Sequence, residues 1–195
     1  MTDNVFLALA GFALATSITP GPNNLMLMAS GANFGLRRTL PHMLGVSLGH
    51  MFLMIMVGLG LVRLFELWPV LHTGLKVAGT AYLLLLAWKI ARAAAPSGGD
   101  AEGRPLTFLE AAAFQWVNPK GWFMAVTALS VYAPAQSFAG VVVVAAVFAA
   151  INLPSVWIWA ALGQAVRRWL TSPDRLRAFN WTMAGLLVAS LVVIL

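Results

Sequence analysis

From Asn4 to Leu36 the chain carries no Asp, Glu, Lys or Arg. A run of that length matches the roughly 20 apolar residues that cross a bilayer as a helix, so it predicts a first membrane span. Inside it lies Thr19-Pro20-Gly21-Pro22-Asn23-Asn24. Pro20 and Pro22 have no N–H, which leaves the carbonyls of Thr16 and Ile18 without helical partners. Irregular backbone at membrane depth survives only against protein or water. The first span is therefore expected to be a broken helix, and the break a candidate binding site.

The rest of the chain fits a polytopic membrane protein: 61% hydrophobic and 9% charged residues, with a mean hydropathy of +0.85, far from soluble averages. The formal charge of +6 is spread over short loops instead of one stripe, which argues against nucleic acid as a partner. No cysteine is present, excluding disulfides, thiol catalysis and Cys-based metal sites. The N-terminus has Asp3 and no positive n-region, so Ala13-Leu14-Ala15 reads as part of a retained helix, not a leader cleavage site. No pattern calls for a cofactor.

Reading charges as boundaries predicts an all-α integral membrane protein with six spans, near residues 5–32, 40–62, 69–88, 107–131, 138–164 and 178–195. The loops after spans one, three and five would share a face holding Arg37, Arg38, Lys89, Arg92, Arg104, Arg167, Arg168, Arg175 and Arg177; the opposite face has Arg63 and Lys76. Positive charge marks the cytoplasmic side, so both termini are expected outside the cytoplasm. The basic loop around Arg167 and Arg177 would meet anionic lipid headgroups, and Trp68, Trp88, Trp157, Trp159 and Trp169 read as interfacial anchors or packing groups.

Residues 95–105, rich in Gly, Pro and charge, read as a cytoplasmic linker inside one transport domain, dividing it into halves at 1–94 and 106–195. Each half opens with a broken helix, since Val117-Asn118-Pro119-Lys120-Gly121 in span four mirrors the first break. Three spans per half is odd, so the halves would be inverted repeats. Paired broken helices in inverted repeats hold substrate between the breaks in many secondary transporters.

Lys120 is the sharpest residue of the second break. A charge at a helix centre costs roughly 2.5 to 3.5 kcal/mol on insertion scales and so faces a cavity, a partner or the interface. With the free N–H groups after Pro119 it would attract a substrate carboxylate; the alternative is a bond to protein carbonyls or headgroups. Asn23 and Asn24 are candidate ligand or capping groups, Asn118 is a candidate ligand group, and the carbonyls of Thr16, Ile18 and Gln115 would accept from a substrate ammonium. A zwitterionic amino acid needs that combination of donors and acceptors.

Two groups are candidates for proton coupling, each with a structural alternative. Glu110 is an intramembrane carboxyl or the acid of a Thr107-Phe108-Leu109-Glu110 capping box; His50 is a proton carrier or a hydrogen-bonded packing group. Asn152 and Pro154 predict a kink in span five whose amide needs partners. Gly31 and Gly35, and Gly45 and Gly49, have the spacing that brings helix backbones together in lipid, within one chain or across a homo-oligomer.

Taken together, the Thr19–Asn24 segment, Gly31, Gly35, Gly45, Gly49 and Asn118-Pro119-Lys120 resemble the LysE/RhtB family of amino-acid exporters along essentially the whole chain. The resemblance implies a six-span inner-membrane exporter of amino acids or related metabolites, driven by the proton gradient. The doubled Asn23-Asn24 resembles branches that export neutral or sulfur-containing amino acids more than the basic amino-acid branch. Related families handle cadmium, but the missing cysteines and unspaced histidines disfavour a metal here. A membrane-embedded enzyme is the rival reading, yet no span holds an Asp or a nucleophile–base arrangement. A passive channel would leave the paired breaks unexplained.

Overall fold

The computed structural model describes residues 3–62, 67–93, 104–133 and 137–193. Arg63, linker residues 95–103 and the last two residues of the expected sixth span lie outside the described residues. Within them the fold is all helical. Helix α1 (Asp3–Ile18) and α2 (Pro22–Phe34) are the two parts of the first expected span. They meet at 57°. Gly21 is extended between them, and Pro22 starts α2 where a missing N–H costs nothing.

Gly35, at a φ of 81°, turns the chain from α2 directly into α3 (Leu36–Met56). This left-handed backbone suits glycine. Its role is the turn, whereas its spacing with Gly31 suggests a packing pair. A π turn over Val57–Leu61, bent at Gly60 (φ 97°), ends α3.

Helix α4 runs Pro69–Ala91. Next, α5 (Phe108–Phe114) opens on the expected capping box: Thr107 Oγ1 accepts from the Glu110 N–H and Glu110 accepts from the Thr107 N–H. A 3-10 turn (Gln115–Val117) and extended Asn118 then form the second break, and Pro119 starts α6 (Pro119–Tyr132). Helix α7 (Phe138–Arg167) carries Pro154 within it, and α8 (Pro173–Ala189) continues into a 3-10 turn over Ser190–Val193. Among the described residues three helices are long and apolar enough to cross a membrane, or four if the bent α1–α2 pair is one span.

Each broken helix lies against a long helix distant in sequence. Helices α1 and α2 pack on α7, α5 packs on α3, and α4 pairs with α8. Small residues permit the closeness: a Cβ on Gly31 would meet the Ala160 carbonyl, one on Gly163 the Met28 carbonyl, and ones on Gly45 and Gly49 the backbone of Phe108 and Ala112. Without a hydrophobic drive between helices in lipid, such backbone contact is a main source of association. The large apolar side chains left outside, including Leu7, Phe52, Leu84, Phe123 and Trp157, suit hydrocarbon and would be an aggregation hazard in water.

Two apolar clusters sandwich a polar layer. One contains Leu9, Ala13, Leu53, Met124 and Phe148; the other contains Leu27, Met43, Val46, Ala111 and Val156. Along α1, α2, α3 and α7, and between α5 and α6, the residues that lie between these clusters are Ser17, Asn24, Ser47, His50, Gln115, Asn118 and Asn152. All of them are buried.

Candidate functional site

The freed carbonyls of the first break find partners within the break and from α7. Thr19 Oγ1 donates to the Thr16 carbonyl (2.9 Å), and Trp159 Nε1 donates to the Ile18 carbonyl (3.0 Å). Asn24 Nδ2 spans the gap, donating to the carbonyls of Ser17 (2.7 Å) and Thr19 (2.8 Å). Backbone acceptors freed at membrane depth demand such partners. Asn24 is thus a clamp on the break, and Thr16 Oγ1 turns back to the Phe12 carbonyl at 2.7 Å.

The two breaks then meet. Asn23 and Gln115 exchange amide hydrogen bonds, Asn23 Nδ2 to Gln115 Oε1 at 2.9 Å and Gln115 Nε2 to Asn23 Oδ1 at 3.1 Å. Lys120 reaches the opposite way. Its ammonium donates to the Thr19 carbonyl (2.8 Å), Thr19 Oγ1 (2.9 Å) and the Pro20 carbonyl (3.4 Å). These oxygens lie just past the C-terminal end of α1, where the helix dipole favours a cation. A Cβ on Gly21 would lie 2.9 Å from Lys120 Cδ, so Gly21 leaves the lane for this side chain.

Behind these contacts runs a hydrogen-bonded chain through α1, α7 and α3: Asn152 Nδ2 donates to Ser17 Oγ (3.1 Å) and Ser47 Oγ donates to Asn152 Oδ1 (2.8 Å). His50 Nε2 sits 3.1 Å from the Gly121 carbonyl, with its ring 5.1 Å from that of Phe148. The Gln115 carbonyl accepts from the Asn118 N–H at 3.4 Å. Asn118 Oδ1 is buried and has no hydrogen-bond partner among the described residues. It borders a cavity of about 20 Å³ shared with Asn23, Asn24, Lys120 and Asn152, room for one water-sized group.

The structure therefore gathers Thr16, Ile18, Thr19, Pro20, Gly21, Pro22, Asn23, Asn24, Gln115, Asn118, Pro119 and Lys120 around one seam. Glu110 stands apart from it: Arg104 grips the carboxylate with two hydrogen bonds of 2.6 and 2.7 Å. Ser17, Ser47 and Trp159 are members of the seam that sequence reasoning missed. Ser17 had a signal, since it continues the buried Leu9–Ala13 stripe at helical spacing.

Comparison with known proteins follows the same stretch of chain. The family model of the LysE type translocators matches residues 14–195. The chain belongs to that family. A cysteine/O-acetylserine efflux protein of Klebsiella pneumoniae is 32% identical over 190 residues, covering 96% of this chain and 95% of the relative. Proteins of the same description from Escherichia coli K12 and Shigella sonnei are also 32% identical, over 96% of both chains. No solved structure matches the chain.

This LysE-type translocator is accordingly a multi-pass membrane transport protein and not an enzyme. Its seam is built of amides, hydroxyls, carbonyls and one ammonium, a set suited to hydrogen-bonding a small polar solute. Among the described residues no group of His, Cys, Asp and Glu is placed to hold a metal ion.

Proposed function

We propose that this translocator is a secondary exporter of small neutral or sulfur-containing amino acids across the inner membrane, working by alternating access between two inverted three-helix halves, residues 1–94 and 106–195. The observation that carries the reading is the meeting of the two breaks: Asn23 with Gln115, and Lys120 with the Thr19 and Pro20 carbonyls. The crosswise packing of each broken helix on the other half's long helix supports inverted repeats. The substrate class is supported by the relatives described as cysteine/O-acetylserine efflux proteins.

In the conformation described here the seam is shut, with about 20 Å³ between the breaks. Substrate would part the Asn23–Gln115 pair. Its carboxylate would take Lys120 from the α1 carbonyls, and its ammonium would take the oxygens so released, so a zwitterion replaces the contacts it breaks. Asn118 Oδ1, already without a partner, adds an acceptor. Rocking of the halves would then carry the solute outward, with an inward proton as the driving force. Six spans with N-out and C-out termini complete the proposal, resting on positive charge at one face.

Purified protein in liposomes tests it. With an imposed pH gradient, L-serine or L-cysteine should move against its own gradient. Movement that only dissipates a substrate gradient would make the protein a channel, and none for any amino acid would end the export reading.

A further inference from the structure

A second cavity lies away from the seam. It has a volume of about 330 Å³ and is bordered by α2, the end of α4 and the residues leading into α5. That size is at the lower end of small-molecule sites. His42, only 1% exposed, lines it. Neither ring nitrogen of His42 has a hydrogen-bond partner among the described residues. Buried polar atoms are nearly always paired, so an unpaired imidazole at the wall of a ligand-sized space indicates a group that a solute completes.

The charges of the cavity are lopsided. Among the described residues that line it, Lys89, Arg92 and Arg104 stand against one acid, Glu110, and Glu110 is held by Arg104. Lys89 and Arg92 have no acidic partner within ion-pair distance among the described residues, and Arg92 is braced over the Trp88 ring at 4.7 Å. Two cations at the rim that have no counter-ion among the described residues, and an unpaired imidazole at the wall, offer opposite ends to one ligand: a carboxylate outward, an ammonium or hydroxyl inward. A phospholipid headgroup would satisfy the cations but would leave the imidazole beside its acyl chains.

We infer that this cavity is a loading site for a small amino acid, holding the carboxylate at Lys89 and Arg92 and a polar hydrogen at His42 before the solute reaches the seam. The inference rests on the export reading for its ligand class and adds a second binding position. Positive charge places it on the cytoplasmic face, the side from which an exporter fills. Met26 borders the cavity and stands two residues from Asn24 on α2, so the same helix joins the two sites.

The chain has no cysteine, so a thiol introduced by Ala93→Cys at the cavity wall is the only one to react. Its labelling rate with a small charged thiol reagent should fall about tenfold when L-serine is at about ten times its dissociation constant. L-serinamide, lacking the carboxylate, should not protect. His42→Leu and, at the exposed rim, Arg92→Gln should each raise the protecting L-serine concentration about tenfold, and Lys120→Gln at the seam should leave it unchanged. Arg92→Gln alone decides if His42→Leu fails to insert. Protection by phosphatidylglycerol in place of L-serine would overturn the site, as would unchanged labelling in a protein that exports L-serine. Protection without export would uphold the site and overturn the export reading; neither protection nor export would overturn both.

Discussion

Asn23 and Gln115, 92 residues apart in sequence, face each other across the two helix breaks and satisfy each other's amides. Gln115 Nε2 also donates to the Ala111 carbonyl at 2.9 Å. Removing Asn23 deprives the buried Gln115 of its partner at Oε1, and removing Gln115 strands the half-buried Asn23 amide, each at about 1–3 kcal/mol. Asn23→Ala and Gln115→Ala should each lower the unfolding temperature in detergent. The double substitution should cost less than the sum by about 0.5–3 kcal/mol, the coupling expected of contacting residues. Strict additivity would show that the pair does not hold the seam.

Lys120 and Gly21 form the second clasp, and the two are sterically linked. Lys120→Gln should cut transport about tenfold or more, since hydrogen bonds to a charged group contribute about 1.5–3 kcal/mol. Gly21→Ala should reduce transport as well, because the added methyl sits in the lane of the lysine stem. Lys120→Ser empties that lane, so Gly21→Ala in a Lys120→Ser background should cause no further loss. Liposome uptake rates, normalised to inserted protein, check all three; full activity of Lys120→Gln would remove the clasp from the mechanism.

How much of this was legible beforehand differs from residue to residue. Both breaks could be read from the chain, because Pro20, Pro22 and Pro119 act through local covalent geometry. The capping box at Thr107 was legible for the same reason. The partner of each freed carbonyl was not: Trp159 finds Ile18 and Lys120 finds Thr19 across more than a hundred residues of sequence, contacts fixed by packing that no local pattern encodes. Gly31 and Gly35 share a spacing but not a role, since only the backbone reveals that Gly35 is at positive φ. Length and charge mark long helices such as α7 well. They serve poorly for α5 and α6, where a break shortens both segments.

The α2–α7 contact should be the least tolerant of added volume. A methyl on Gly31 would fall 2.0 Å from the Ala160 carbonyl, and one on Gly163 as close to the Met28 carbonyl. Neither obstacle is a flexible side chain, so the helices themselves must separate. Gly31→Ala and Gly163→Ala should each destabilise by about 1–3 kcal/mol, the usual cost of overpacking. Gly11→Ala is the control: its methyl would meet nothing within 4 Å, and alanine is the better helix former by about 1 kcal/mol. Thermal unfolding of the three variants in one detergent should rank Gly11→Ala at or above the unaltered protein and the other two well below.

Glu110 tests whether an acid near the start of a span must carry protons. Its oxygens accept from Arg104, from the Thr107 N–H and from Thr107 Oγ1, so every bond it makes is explained by helix capping and by one ion pair. That pair is partly exposed and contributes at most about 1 kcal/mol. Glu110→Gln keeps an acceptor for the cap while removing the charge and the titration. It should therefore lower the unfolding temperature only slightly and leave the response of transport to an imposed pH gradient intact. Transport that persists but no longer responds to the gradient in Glu110→Gln would instead make this carboxylate the coupling group, and the ion pair with Arg104 would then have to open in each cycle.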